Sequence, residues 1–232
     1  MISLPFLRFW LSTFRDWSFP LVHTMDPWRF EKQVQANGFP RVAGLDEAGR
    51  GPLAGPVVAA AVVLPEGFDA AGIGDSKAMS AKAREAMFEY ITSKAAFGVG
   101  ISEPELIDEI NILRATDYAM RAALDAIGAA FDFILVDGKP VPDLPARSLA
   151  IVKGDSLSVS IGAASIVAKV TRDRIMADLD CKYPEYGFAS HKGYGSRLHL
   201  EALERYGPCP CHRKSFAPVA ERIHLCRLPG LV

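Results

Sequence analysis

Short apolar runs alternate with amphipathic segments along most of this chain, and each pattern predicts a structural element. Residues 41–46 and 56–64 are apolar runs that predict two strands, joined by a glycine-rich turn. Because the turn is short, we expect these two strands to pair antiparallel. The remaining strands are predicted over residues 97–101, 133–136 and 148–152.

Apolar residues at helical spacing predict helices between and after these strands. One helix is predicted over residues 80–95, with Ser80 as its N-cap, and another over residues 111–130. Further helices are predicted over residues 158–180, 197–206 and 218–223. Three early strands followed by alternating helix and strand indicate an α/β fold, in which helices cover the faces of a mixed sheet. We expect the first three strands to be antiparallel and the later strands to be parallel.

The composition fits one globular domain. Of 232 residues, 50% are hydrophobic and 23% are charged, which allows a sizeable buried core. Residues 1–24 are aromatic-rich and do not form a convincing signal peptide. We expect them to be a disordered extension or a gene-model error upstream of Met25, with a targeting or interaction segment as the alternative. The domain itself is expected to span residues 25–232, with a helical region from about residue 180.

Charge and cysteine content narrow the class of protein. The net charge of −1 gives no global positive field, although residues 182–214 carry a basic excess that predicts either a binding face or a solvated surface. No apolar run reaches the length of about 20 residues that a membrane span needs, and we expect a cytoplasmic protein. The cysteines are Cys181, Cys209, Cys211 and Cys226. The single residue between Cys209 and Cys211 is not the usual zinc or redox spacing, so free thiols are expected.

Four carboxylates fall at the ends of three predicted strands: Asp46, Glu47, Asp137 and Asp155. Singly, each has an ordinary interpretation as a polar turn, a turn dipeptide or a helix cap. Together they predict one site, because carboxylates beside buried residues repel each other and a hard cation removes that penalty. Neighbouring strand residues face opposite sides, so Asp46 and Glu47 are expected to share the site only if the strand turns or bulges at Glu47.

Such an acid set predicts phosphodiester hydrolysis with two metal ions. In that chemistry the cations lie about 3.5–4 Å apart, one activating water and the other stabilising the leaving oxygen. All-oxygen coordination favours Mg²⁺ or Mn²⁺ over zinc. The turn that follows the first acids, Gly49, Arg50 and Gly51, can bring backbone N–H groups and a guanidinium close to a phosphate.

Other side chains suggest a surface for nucleic acid. The candidates for phosphate contact are Lys77, Lys169 and Arg172. For the last two, the solvent face of an amphipathic helix is the alternative. Tyr194 is flanked by glycines near basic residues and is placed to stack on a sugar or base, with a packing role as the alternative. His199 and His212 are expected to be structural, since the carboxylates suffice for the metals.

A series of ordered motifs runs through the chain. The first covers residues 44–58, with the sequence GLDEAGRGPLAGPVV. Further motifs follow at residues 75–77, 136–138, 153–156, 163–173, 191–195 and 212–219. Together they resemble the ribonuclease HII family in identity and order, over roughly residues 41–223.

This resemblance implies an RNase H-like fold and an endonuclease that cuts the RNA strand of RNA–DNA hybrids. It also implies nicking 5′ to single ribonucleotides embedded in duplex DNA, leaving a 3′-hydroxyl and a 5′-phosphate. The catalytic, metal-binding acids would be Asp46, Glu47, Asp137 and Asp155, with Mg²⁺ or Mn²⁺ as cofactor. The turn at residues 49–51 would read the ribose 2′-hydroxyl. Tyr194 would stack on the deoxyribose beyond the ribonucleotide.

Two alternative functions stay open from the sequence. A non-catalytic nucleic-acid-binding module on the same fold is one, although a degenerate binder is expected to lack some of the four acids. An HIII-type enzyme that prefers longer hybrids is the other, and Tyr194 in its glycine-flanked motif favours the HII type. We expect a monomer. Contact with a sliding clamp is undecided, because the C-terminus shows no obvious clamp-binding peptide.

Overall fold

A computed structural model describes residues 26–74 and 79–225. The extension predicted at residues 1–24 and the candidate Lys77 lie outside the described residues. The sheet is built from β1 (Val42–Ala48), β2 (Val57–Val63), β3 (Ala96–Ser102), β4 (Phe133–Asp137) and β5 (Arg147–Ile151). All five strands lie within about two residues of their predicted positions.

The strands form one mixed sheet in the order β3-β2-β1-β4-β5. Strand β2 pairs antiparallel with both β1 and β3, whereas β4 pairs parallel with β1 and β5. This arrangement confirms the predicted mixed sheet, in which the first three strands are antiparallel and the later ones parallel. Because β1 and β4 run in the same direction, their C-terminal ends meet at one edge of the sheet.

Helices surround this sheet and follow it in the chain. They are α1 (Arg29–Ala36), α2 (Ala81–Lys94), α3 (Pro104–Ala126), α4 (Val159–Lys182), α5 (Phe188–His191), α6 (Arg197–Tyr206) and α7 (Ala217–Leu225). The predicted N-cap of α2 is confirmed, since the Ser80 hydroxyl accepts the Ala83 N–H at 3.2 Å. Among the described residues, no helix combines the length and apolarity that crossing a membrane requires.

Helix α3 begins earlier than the sequence pattern predicts. The predicted start at Asn111 is a break inside the helix, where this residue adopts a positive φ of 68°. Its side-chain oxygen accepts the N–H groups of Leu113 and Arg114, at 3.0 and 3.2 Å, and so caps the second part of the helix. The predicted helix is therefore that second part, and the sequence pattern missed the turns before the break.

The two faces of the sheet bury separate cores. Helix α3 packs on one face, and α2 and α4 pack on the other. Gly44 on β1 allows α4 to approach the sheet closely, because a Cβ there would lie 2.1 Å from the carbonyl carbon of Ser160. This close approach brings the side chains of α4 to the C-terminal end of β1.

Helix α1, which the sequence pattern did not predict, fixes the start of α4. Glu31 of α1 is buried, and one of its carboxylate oxygens accepts hydrogen bonds from the Ser158 hydroxyl (2.5 Å) and the Ser160 N–H (3.0 Å). A carboxylate at this position also interacts favourably with the N-terminal end of the helix dipole. The position of α4, and of the site residues it carries, therefore depends on this buried contact.

Candidate active site

A cleft of about 370 Å³ opens at the C-terminal ends of β1 and β4. Its lining brings together most of the predicted site residues: Asp46, Glu47, Gly49, Arg50, Gly51, Asp137, Lys169, Arg172 and Tyr194. Carboxylates, a glycine-rich turn, cationic side chains and one aromatic ring thus share a single surface. The chain separates these residues by more than a hundred positions, and the parallel pairing of β1 with β4 brings the acids together.

Asp46 lies near the C-terminal end of β1, and Asp137 is the last residue of the neighbouring parallel strand β4. The strand register pairs Leu45 with Val136, so the two aspartates come next on adjacent strands. Asp46 is only 5% exposed. Burial raises its pKa well above the ordinary value, and the negative charges of Glu47 and Asp137 raise it further. The metal-free site therefore stores electrostatic repulsion around a buried acid.

The predicted bend at Glu47 is absent from the strand, and this expectation is wrong. Pairing with β2 continues without a bulge, from Asp46 opposite Ala60 to Ala48 opposite Val58. Glu47 still borders the cleft, because the cleft lies at the end of the sheet, where side chains from both faces can reach it. The two acids therefore border one cleft although the strand that carries them is regularly paired.

Glu47 is bound to the arginine of the following turn. Its Oε1 lies 3.1 Å from an Nη of Arg50, which is about half exposed. Burial raises the pKa of Glu47 and the charge of Asp137 adds to the rise, whereas the hydrogen bond and the charge of Arg50 lower it. The ion pair orients the Arg50 guanidinium at the rim of the cleft.

Asp155 lies beside Asp137 but does not line the cleft. It belongs to a short 3₁₀ turn, Gly154–Ser156, and is largely buried. The Asp137 carboxylate accepts the Gly154 N–H at 2.6 Å and lies 3.4 Å from the Asp155 backbone nitrogen. These contacts fix the orientation of Asp137 and hold the fourth acid next to it.

The turn at residues 49–51 is shaped by two buried arginines. Gly49 has a φ of +95°, and a Cβ there would lie 2.0 Å from Nε of Arg172, so a side chain is excluded for two reasons. The Arg213 guanidinium donates to the carbonyl oxygens of Arg50 (2.9 Å), Gly49 (2.6 Å) and Gly55 (2.9 Å). The buried arginines therefore hold the turn in one conformation from the interior side of the cleft.

Arg172 has a different environment from the one expected of a phosphate ligand. Its side chain is 1% exposed, and its guanidinium donates to the carbonyl oxygens of Pro56 (3.0 Å), Lys192 (3.0 Å) and Ala54 (3.2 Å). Burial lowers its pKa. The solvent-face alternative is wrong for this residue, because α4 turns Arg172 inward, where it binds the segment at residues 54–56 and the loop at Lys192.

Helix α4 contributes two further side chains to the cleft, Ser165 and Lys169. The Lys169 ammonium lies 2.5 Å from a carboxylate oxygen of Asp173, which also lies 3.4 Å from Arg84. The Ser165 side chain hydrogen-bonds to Asp46 and lowers its pKa, against the larger effect of burial. Ser165 thus favours the ionised form of Asp46 from the floor of the site.

Tyr194 projects from the loop between α5 and α6. Its side chain is 50% exposed, and the nearest ring carbon would lie 3.6 Å from a Cβ placed on Gly51. The ring therefore stands beside the glycine turn, not in a core. Its backbone carbonyl lies 2.9 Å from Nδ1 of the buried His199, which anchors this end of the loop.

Sequence reasoning missed Arg213 and Ser165 as members of the site. Both lie inside motifs that carry the family resemblance, and that was the only sequence signal for them. Neither has a distinctive local pattern, because Arg213 acts on carbonyl groups more than 150 positions away. Lys77, by contrast, lies outside the described residues, and its predicted phosphate contact stays a prediction.

Comparisons with known proteins agree on one family. The family model described as Ribonuclease HII matches residues 43–219. A Ribonuclease HII from Syntrophotalea carbinolica is 53% identical over 199 residues, covering 85% of this chain and 95% of that protein.

Solved structures are similar in fold as well. The ribonuclease H2 of Pyrococcus horikoshii has a TM-score of 0.68 at 31% identity, covering 81% of this chain and 99% of that one. An Archaeoglobus fulgidus RNase HII, solved in a complex with PCNA, has a TM-score of 0.63 at 27% identity and covers 76% of this chain and 95% of that one. The chain therefore belongs to the ribonuclease HII family.

Proposed function

We propose that this member of the ribonuclease HII family cuts the RNA strand of RNA–DNA hybrids and nicks duplex DNA 5′ to single embedded ribonucleotides. The products would be a 3′-hydroxyl and a 5′-phosphate. One observation carries the proposal: the acids at the ends of β1 and β4 share a cleft with the turn at residues 49–51 and with the exposed ring of Tyr194. Hydrolytic groups and groups that can recognise a sugar thus lie within reach of the same nucleotide.

The acid cluster fits divalent metal ions. Asp46, Glu47 and Asp137 line one cleft, and burial together with mutual repulsion raises the pKa of the first two. Such a desolvated, all-oxygen donor set suits Mg²⁺ or Mn²⁺. Asp46, Glu47, Asp137 and Asp155 would hold the ions. When bound, the ions supply charge stabilisation of the phosphate and activation of water.

The turn would select the ribonucleotide. Its carbonyl groups are bound to Arg213, so the turn keeps one shape when the nucleic acid arrives. A fixed backbone can make hydrogen bonds to a 2′-hydroxyl without a cost of ordering, and this hydroxyl distinguishes RNA from DNA. Arg50, oriented by Glu47, would contact the adjacent phosphate.

Tyr194 would recognise the junction between ribose and deoxyribose. Its half-exposed ring beside Gly51 offers a flat apolar surface at the rim of the cleft. Stacking on the next sugar would place the scissile phosphate over the acids. Lys169 would contribute positive charge on the α4 side, and Arg172 would act through the carbonyl groups that it holds rather than on the phosphate directly.

A cleavage-site map tests the proposal directly. A DNA duplex with one ribonucleotide, labelled at its 5′ end, is incubated with the protein and Mg²⁺ or Mn²⁺. We expect a single nick 5′ to the ribonucleotide, no cut in the all-DNA duplex, and no cut by the Asp46→Asn variant. A correctly folded protein that leaves the ribonucleotide-containing strand intact with both metals would contradict the proposal.

The protein is further proposed to act as a monomer in the cytoplasm. A sliding clamp is a candidate partner, since the Archaeoglobus relative was solved in a complex with PCNA. Size-exclusion chromatography of the protein alone, and then with the purified sliding clamp of the same organism, tests both points. Elution as a dimer in the first experiment would contradict the proposed monomer. Failure to co-elute with the clamp in the second would contradict the proposed clamp contact.

A further inference from the structure

A compact group of sulfur and nitrogen atoms lies outside the cleft, in the segment before α7. The Sγ atoms of Cys209 and Cys211 are 3.1 Å apart, and Sγ of Cys209 is 3.1 Å from Nδ1 of His212. All three residues are buried, and their potential ligand atoms lie within 4.8 Å of one another. The mechanism proposed above uses none of them.

The backbone brings these side chains together without help from a ligand. The His212 N–H donates to the Cys209 carbonyl at 3.0 Å, which closes a tight turn around Pro210. The Cys211 carbonyl in turn accepts the Gly55 N–H at 2.9 Å. The turn is therefore fixed to the segment that follows the glycine-rich loop of the cleft.

The hydrogen bonds of the neighbouring histidine determine which nitrogen of His212 is available. Nδ1 of His199 lies 2.9 Å from the Tyr194 carbonyl, which can only accept, so this nitrogen carries the hydrogen. Nε2 of neutral His199 must then accept from Nε2 of His212, 3.0 Å away. Nδ1 of His212 then carries a lone pair, which accepts the Cys209 N–H at 3.0 Å and lies 3.1 Å from Sγ of Cys209. A metal ion bound between the thiols would take the place of this N–H on Nδ1.

This pattern is the one found around metal-binding histidines. A ligating imidazole uses one nitrogen for the metal, while the other donates to a fixed acceptor that sets the tautomer and ring orientation. His199 supplies that acceptor here. Tyr186 packs against His212, and Phe188 packs against both histidines, which excludes much of the water from the cluster.

We propose that Cys209, Cys211 and His212 bind one Zn²⁺ ion, through two thiolates and Nδ1. Two soft sulfur ligands with one imidazole favour zinc over the hard cations proposed for the acid cluster. The described residues offer three ligands, so a water molecule takes the fourth position. Binding releases the thiol protons to solvent. The sulfur atoms must separate to about 3.8 Å for tetrahedral bonds of about 2.3 Å, which the small turn can accommodate.

The position of this site links it to both sides of the cleft. Arg213 follows His212 directly and holds the carbonyl groups of Gly49 and Arg50. His212 reaches the Tyr194 carbonyl through His199. Zinc would therefore stabilise the parts of the fold that carry the glycine turn and the aromatic ring. This consequence for cleavage rests on the proposed function, whereas the binding of zinc does not.

Cobalt substitution tests the site independently of cleavage. The reduced, EDTA-treated full-length protein is titrated with Co²⁺ in the absence of Mg²⁺ and Mn²⁺. We expect a thiolate-to-cobalt charge-transfer band that saturates at one equivalent and disappears when one equivalent of Zn²⁺ is added. Oxygen ligands of the acid cluster cannot give this band. Zinc in excess is expected to raise the Tm of the same protein by about 5 °C.

Matched variants locate the ligands. Cys181→Ser removes an exposed thiol outside the cluster and should keep the band, as should Asp46→Asn. Cys209→Ser and Cys211→Ser should each lose most of it. The proposal is wrong if the reduced wild-type protein gives no band, if both cysteine variants keep it, or if Cys209 and Cys211 form a disulfide whose reduced form takes up no metal. The titration of the wild-type protein tests for the metal site even if a variant fails to fold.

Discussion

The guanidinium of Arg213 donates a hydrogen bond to the carbonyl oxygen of Arg50 at 2.9 Å, although the two residues are 163 positions apart. One arginine is fully buried and the other lies at the rim of the cleft. The buried residue thereby sets the backbone from which the exposed one extends toward substrate. Burial lowers the pKa of Arg213 to about 9, and the charge of Arg172 contributes, so Arg213 still carries its charge at neutral pH.

Replacement of Arg213 by lysine should weaken both the fold and the binding of substrate. One ammonium group cannot reach the three carbonyl groups that the guanidinium binds, which leaves buried acceptors unpaired. We expect the free energy of unfolding to fall by about 3 kcal/mol. The Kd for a ribonucleotide-containing duplex should rise about tenfold, which corresponds to about 1.4 kcal/mol.

Denaturant unfolding and fluorescence anisotropy measure these two quantities. Arg197→Lys is the matched control, because Arg197 is an exposed arginine whose ion pair with Glu201 spans one turn of α6. Its unfolding free energy should change by less than about 0.5 kcal/mol. Equal behaviour of the two variants would contradict the supporting role of Arg213.

Asp46→Asn should stabilise the metal-free protein at neutral pH. The folded-state pKa of Asp46 is raised above its unfolded value by burial and by two neighbouring acids. Ionisation therefore costs the folded state stability as the pH rises from the unfolded pKa, about 3.9, towards the folded pKa. Asparagine keeps an oxygen for the Glu47 N–H and removes the charge.

Thermal unfolding in EDTA between pH 4 and pH 8 checks whether the variant is more stable than the wild-type protein. The variant should have the higher Tm at pH 8, and the difference should shrink towards pH 4. Added Mg²⁺ should raise the Tm of the wild-type protein more than that of the variant, because the ions offset the repulsion that the variant has already lost. A lower Tm for the metal-free variant at pH 8 would show that the carboxylate is not strained.

The acid site could be predicted from the sequence because strand ends are local features. Apolar runs ending on Asp46 and Asp137 place both acids at one edge whenever the two strands pair in parallel, as they do. The break at Asn111 and the helix α1 were missed because neither leaves a mark on the apolar pattern. Each depends on a local side-chain capping contact or on burial against α4, neither of which changes the apolar pattern.

The burial of the two arginines could not be predicted from the sequence, because arginine side chains are usually exposed. Arg172 is buried because carbonyl groups of Ala54, Pro56 and Lys192 surround its guanidinium, and Arg213 because the loop at residues 49–55 turns three carbonyl groups toward it. The same holds for His199 and His212, which were expected to be structural. Their contact at 3.0 Å joins α6 to the cysteine turn and is invisible in either segment alone.

Tyr194→Ala should impair junction cleavage without a matching loss of stability. The ring is half exposed, so its removal exposes little core, whereas it removes the surface on which the sugar would stack. We expect kcat/KM on the embedded-ribonucleotide duplex to fall at least tenfold, and Tyr194→Phe to retain most of it. Tyr206→Ala, which removes a tyrosine of similar exposure at the end of α6, is the control. A packing role would be favoured if Tyr194→Ala lowered the free energy of unfolding by as much as it raised the activation free energy of cleavage.

Gly44→Ala should separate α4 from β1 and so disturb the site from outside it. The new Cβ would lie 2.1 Å from the carbonyl carbon of Ser160, and backbone on both sides leaves it no room. We expect a loss of about 3 kcal/mol in the free energy of unfolding, typical of overpacking, and reduced cleavage because α4 carries Ser165 and Lys169. Gly74→Ala, where a Cβ meets nothing within 4 Å, should change neither quantity. Unfolding and cleavage measured on both variants decide whether the close packing of this strand and helix is what holds the cleft together.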